Sequence, residues 1–154
     1  MFTIYNLFKY LHIIAVIVWI GATFTLTLLN GRIAAAGDRQ ALMTLSRHSG
    51  FIGRAVVAPA ATTTLITGVV MVLNSSLRFS MLWITWGLGG IFVSGLVIGA
   101  MFMRRTGQEL LKLAPTASSD DPRVAQLQRR LAILNIINLL VLLSVEAAMV
   151  FRPV

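Results

Sequence analysis

The sequence predicts an all-α protein: a four-helix transmembrane bundle with both termini periplasmic and two basic cytoplasmic loops. Three observations predict it. The chain has 154 residues, 57% of them hydrophobic and 12% charged. Soluble domains carry about 25% charge, and one domain could not bury this much apolar surface, so lipid must surround part of it. Second, the apolar residues gather in four stretches, 5–29, 51–73, 81–103 and 131–151. As helices these stretches would run roughly 31–38 Å, against a hydrocarbon layer of about 30 Å. Third, the basic residues are unevenly placed. Arg32, Arg39, Arg47 and Arg54 follow the first stretch. Arg104, Arg105, Lys112, Arg123, Arg129 and Arg130 follow the third. Only Lys9, Arg78 and Arg152 lie at the other end, and Lys and Arg favour the cytoplasmic side. A single domain over 1–154 is expected.

The first stretch lacks a basic start and is too long for the apolar region of a cleaved leader, so it reads as a membrane helix. After it, "GDRQALMTLSRHSGF" offers Asp38 as a helix N-cap with helix formers behind it. The second stretch contains Pro59, followed by Thr62, Thr63 and Thr64. Proline frees a backbone carbonyl and threonine hydroxyls re-satisfy such groups, so a kink is expected there. The third stretch, "WGLGGIFVSGLVIGA", pairs Gly95 with Gly99 and Gly90 with Ser94. Small residues four apart let helices approach closely in lipid. The Gly95–Gly99 pair is open to two readings, packing within the bundle or a homodimer seam. "PTASSDDPR" reads as a loop, with Asp121 and Pro122 as the cap and first turn of the last helix.

Ionisable groups at membrane depth are candidate functional residues, because burying them is costly. This chain places Lys9, His12 and Glu146 there, all near the outer end. On the first helix Lys9, His12, Val16, Trp19 and Thr23 share a face, and on the last Asn135, Asn138, Leu142 and Glu146 do the same. Two polar stripes should face each other, which brings Lys9, His12 and Glu146 into one cluster. Each residue also has a plain structural reading. Lys9 snorkels to the headgroups, Glu146 makes an ion pair, and His12 makes an interhelical hydrogen bond. The alternative for His12 is metal ligation: an axial ligand of a b-type haem, or a copper ligand. Trp83 and Trp86 read as an interfacial belt or as the wall of a cofactor pocket. His48 lies at the opposite end and reads as a solvated histidine.

Several classes are excluded. Cysteine is absent, which removes disulfides, thiolate metal sites and cysteine nucleophiles. The net charge of +8 resides in two loops between apolar runs, which is a topology pattern and not a nucleic-acid surface. There is no phosphate loop, metalloprotease helix or nucleophile elbow.

"FKYLHIIAVIVWIGATF" resembles the K-x-L-H…W-x-G opening of several small bacterial membrane proteins. Among them are HemJ-type protoporphyrinogen oxidases, CopD copper-resistance proteins and a predicted integral membrane family of unknown function. "GRAVVAPAATTTLITGVVMVL", "DDPRVAQLQRRLAILNIINLL" and the closing "MVFRPV" resemble that last family across nearly the whole chain. The resemblance implies a multi-pass protein of the bacterial inner membrane. It also matches His12 to a histidine associated with haem in HemJ-type proteins. Those proteins carry a lysine early in the third helix, where this chain has Thr85 or Trp86. The expected function is redox or haem handling, with haem b on His12, Lys9 and Glu146 beside its charged groups, and Trp19 and Trp86 at the pocket wall. The alternatives are an accessory or assembly subunit of a larger membrane complex, with a structural polar cluster, and a copper-handling protein.

Overall fold

The computed structural model describes residues 3–113 and 121–152. Helix α1 spans Ile4–Ala36, α2 Arg39–Ile52, α3 Ala58–Leu73, α4 Leu82–Ile91, α5 Arg104–Leu113 and α6 Pro122–Phe151. A π-helical turn, Gly53–Val57, joins α2 to α3, and a longer π-helical segment, Phe92–Met103, joins α4 to α5. The described residues therefore form four continuous rods, each long and apolar enough to cross a membrane. The chain is an integral, multi-pass membrane protein by that architecture.

Helix ends obey local chemistry. The Thr3 hydroxyl accepts from Asn6 N–H at 3.3 Å and opens α1. Gly37 closes it in the left-handed region, φ 65°, where a side chain would be strained. The expected cap at Asp38 is present, its carboxylate accepting from Ala41 N–H at 2.9 Å. Asp121 likewise accepts from Arg123 N–H at 2.8 Å, with Pro122 in the first turn of α6. The loop expected before it falls largely on 114–120, outside the described residues.

The rods are longer than the apolar stretches foretold. The 33 residues of α1 run about 50 Å, well beyond a ~30 Å hydrocarbon layer. The excess lies at the basic end, where α2, α5 and the start of α6 continue as amphipathic helices. Leu42, Leu110 and Val124 form a second buried cluster there, against Ile33, Leu127 and Leu131. Overall hydropathy marks only the lipid-facing part of a rod. The overhang buries one face and wets the other, so it reads as a polar loop.

Within the membrane part, α1 packs on α3 and α6, and α4 packs on α6. Trp19, Ala60 and Leu142 form the central cluster. Ser94 donates to Asn138 Oδ1 at 2.6 Å, a buried bond that ties the third rod to α6. The π-helical turn falls just before Pro59. Proline lacks an N–H and crowds the carbonyl four residues back, and a widened turn relieves both effects. Thr62 bonds Ala58 O at 2.9 Å, so it does not serve the carbonyl freed by the proline.

The glycines of the third rod act differently from the expectation. A Cβ at Gly90 would overlap the short, branched Val145, so this glycine sets the approach of α4 to α6, whereas one at Gly87 would meet only the terminal methyl of Met149, which can swing aside. Gly95 has nothing within 4 Å. Gly99 faces its own helix, where a Cβ would meet Ser94 O at 3.2 Å. The Gly95–Gly99 pair therefore does not make the bundle contact.

Candidate functional site

The first rod delivers the polar residues of interest in one line. Tyr5, Lys9, His12 and Val16 descend α1 from its N-terminal end and all line one cavity of about 360 Å³. Along the helix that descent covers about 17 Å. Thr64 and Gly68 of α3, Trp83 of α4 and Glu146 of α6 complete its polar and close-packed wall. Aliphatic side chains make up most of the rest, and the volume is in the range of small-molecule sites. Arg152 sits at the mouth, its guanidinium 5.5 Å from the centre of the Trp83 ring, a cation–π contact.

His12 is held from behind. Its Nδ1 lies 2.9 Å from Thr67 Oγ1. Thr67 sends its single hydroxyl proton to the carbonyls of Thr63, at 2.6 Å, and Thr64, at 3.2 Å. The hydroxyl must therefore accept from His12, which places the ring proton on Nδ1. Nε2 keeps its lone pair, and the bond behind the ring orients it. Gly68 makes room for this geometry: a Cβ there would stand 3.2 Å from His12 Cε1.

A second, smaller cavity of about 30 Å³ lies deeper, also lined by His12, Thr64 and Glu146, with Trp19 on its wall. Thr64 is 4% exposed and its Oγ1 has no hydrogen-bond partner. An unmade bond to a buried hydroxyl costs roughly 1–3 kcal/mol, which makes this atom conspicuous.

The structure thus brings Lys9, His12 and Glu146 to one cavity, but Lys9 and Glu146 do not meet as an ion pair. Trp19 is 3% exposed, in the central cluster and beside the smaller cavity. Trp86 lies outside both cavities; it is 56% exposed and its Nε1 donates to Ser144 Oγ at 3.3 Å. Trp83 takes the place expected of it. Three residues of offset rotate a side chain by about 60° around a helix, enough to move it from the cavity to the lipid face. His48 lies in α2, in the second rod's basic overhang. Thr64, Thr67 and Gly68 were missed as site residues. The run of threonines was visible, but which hydroxyl meets His12 depends on how α1 packs on α3. Among the described residues no group of three or more His, Asp or Glu side chains is arranged to hold a metal ion.

One family model covers nearly the whole chain. Described as "Predicted integral membrane protein (DUF2269)", it matches residues 6–153. The chain belongs to this family. No curated protein and no solved structure matches it. The DUF2269 match begins before Lys9 and ends beyond Arg152, so every residue of the cavity wall except Tyr5 lies inside it.

Proposed function

We propose that this DUF2269 protein is a small redox or haem-handling protein of the bacterial inner membrane, binding haem b or a related tetrapyrrole through His12 Nε2. The observation that carries the reading is the Thr67–His12 hydrogen bond, which engages Nδ1 and leaves the Nε2 lone pair available on a residue that lines the cavity. The rest of the wall suits the same ligand. Aliphatic side chains accept an apolar macrocycle, Gly68 leaves room for the ring of His12, and Lys9 and Arg152 put positive charge at the mouth for carboxylates. Glu146 is placed to take or give a proton beside it. A bound haem supplies one-electron chemistry, and the chain's own part is to orient the ligand, exclude water and hold charge. The likeness of the opening to HemJ-type proteins supports this reading; the likeness to CopD proteins would support copper on the same nitrogen.

The proposed orientation places both termini in the periplasm and the basic overhang in the cytoplasm. Ten cations against three support it.

The test is a visible spectrum of the protein purified from haem-replete cells. A Soret band that disappears in His12→Ala is expected. A colourless protein that cannot be loaded with haem, and that co-purifies with a stoichiometric partner, overturns the reading in favour of an accessory subunit.

A further inference from the structure

We propose that the smaller cavity is an internal water site, in which one or two water molecules bridge the Thr64 hydroxyl to the Glu146 carboxyl and connect Glu146 to the ligand cavity for proton transfer. The inference does not depend on what occupies the larger cavity.

The first observation is the orphaned hydroxyl. Thr23, Thr27, Thr62 and Thr67 each return their hydroxyl to a backbone carbonyl, at 2.9, 2.8, 2.9 and 2.6 Å. Thr64 makes no such bond, although it is nine-tenths buried and lines both cavities. The second observation is size. The cavity measures about 30 Å³, too small for an organic ligand and large enough for water. The third is the chemistry of the wall. A buried water needs two to four polar partners, and this wall offers the Thr64 hydroxyl, the Glu146 carboxyl and the edge of the His12 ring. Trp19, Leu142 and Val145 supply apolar sides that hold the water to those partners.

The consequence is a proton path. Glu146 lines both cavities, as His12 and Thr64 do, and it is the carboxyl group the two share. When its carboxylate takes a proton from the bound water, that water takes one from a further water molecule in the larger cavity; each transfer breaks one O–H bond and forms another, and no electron moves. The titratable and charged groups around Glu146 are Tyr5, Lys9 and His12 of α1 and Arg152 at the end of α6; α3 and α4 bring none to the wall. The cations stand toward the mouth, and the water site is on the far side of His12 from them.

The experiment is infrared difference spectroscopy across a pH step, on the full chain in lipid nanodiscs, in ordinary and in heavy-oxygen water. Two bands are expected: a carboxylic C=O stretch that vanishes in Glu146→Gln, and a water O–H stretch that shifts in heavy-oxygen water. Thr64→Val should remove the water band, move the carboxyl stretch to higher frequency and lower Tm. Thr64→Ser keeps the hydroxyl and should keep both bands. Absence of the water band in the unmodified protein overturns the proposal, and so does a Thr64→Val protein whose bands are unchanged. A raised Tm in Thr64→Val also overturns it, because removing an orphaned hydroxyl from a dry cavity relieves a penalty. If Thr64→Val does not fold, the unmodified protein and Thr64→Ser still decide the matter.

Discussion

Thr67 holds two bonds of opposite sense, giving its proton to the helix backbone and accepting one from His12. That arrangement makes a neutral imidazole a better ligand, since the group behind a metal-binding histidine fixes both its tautomer and its direction. Replacing the hydroxyl with a methyl should free the ring. For the haem site proposed above, we expect Thr67→Val to weaken haem binding by roughly 10–100-fold, with recovery in Thr67→Ser, measured by absorbance titration of the purified protein. Unchanged affinity in Thr67→Val would remove Thr67 from the site. His12 itself was legible, because a histidine in an apolar helix is costly to place without a use. Its partner was not, because three adjacent threonines and a fourth three residues on present hydroxyls around most of a helix turn.

The third rod shows how similar glycines do different work. Gly87 and Gly90 lie under Met149 and Val145, whereas Gly95 faces open space. Gly90→Leu should therefore force α4 from α6 and cost about 1–3 kcal/mol, as overpacking does. Thermal unfolding in detergent measures it, and an unshifted Tm would contradict the packing described. Gly95→Leu should leave the fold intact. Phe92 and Leu96 beside it are exposed as well, so this face takes no part in the bundle contacts, and an unshifted Tm in Gly95→Leu is the expected result. A pattern of small residues marks where close approach is allowed. It does not name the neighbour, because that depends on the rotation of the whole helix.

At the scale of the molecule, the two ends differ in kind. One carries the basic overhang, with a buried cluster of Leu42, Leu110 and Val124. The other carries the cavity mouth, with Lys9 and Arg152. The proposed topology follows from that asymmetry. A reporter that is active only outside the cytoplasm, fused at the C-terminus, should be active, and one inserted in the turn at Gly37 should be silent. The reverse pattern would invert the orientation and put the cavity mouth in the cytoplasm.

The amino-acid sequence alone determined the membrane class, the four long apolar helices and the caps at Asp38 and Asp121. These properties depend on composition along the chain, or on contacts within one helical turn, so neighbours in sequence suffice. It also singled out Lys9, His12 and Glu146, because charge in an apolar run is visible without a structure. Only the tertiary structure decided that these residues border a cavity and do not form an ion pair. The same is true of the choice of Trp83 over Trp86, of Gly90 over Gly95, and of the buried Thr64 hydroxyl left without a partner. Each of those outcomes turns on the rotation and depth of one helix against another. A step of one residue rotates a side chain by about 100° and moves it 1.5 Å, so contacts between rods are set by the packing of the whole bundle.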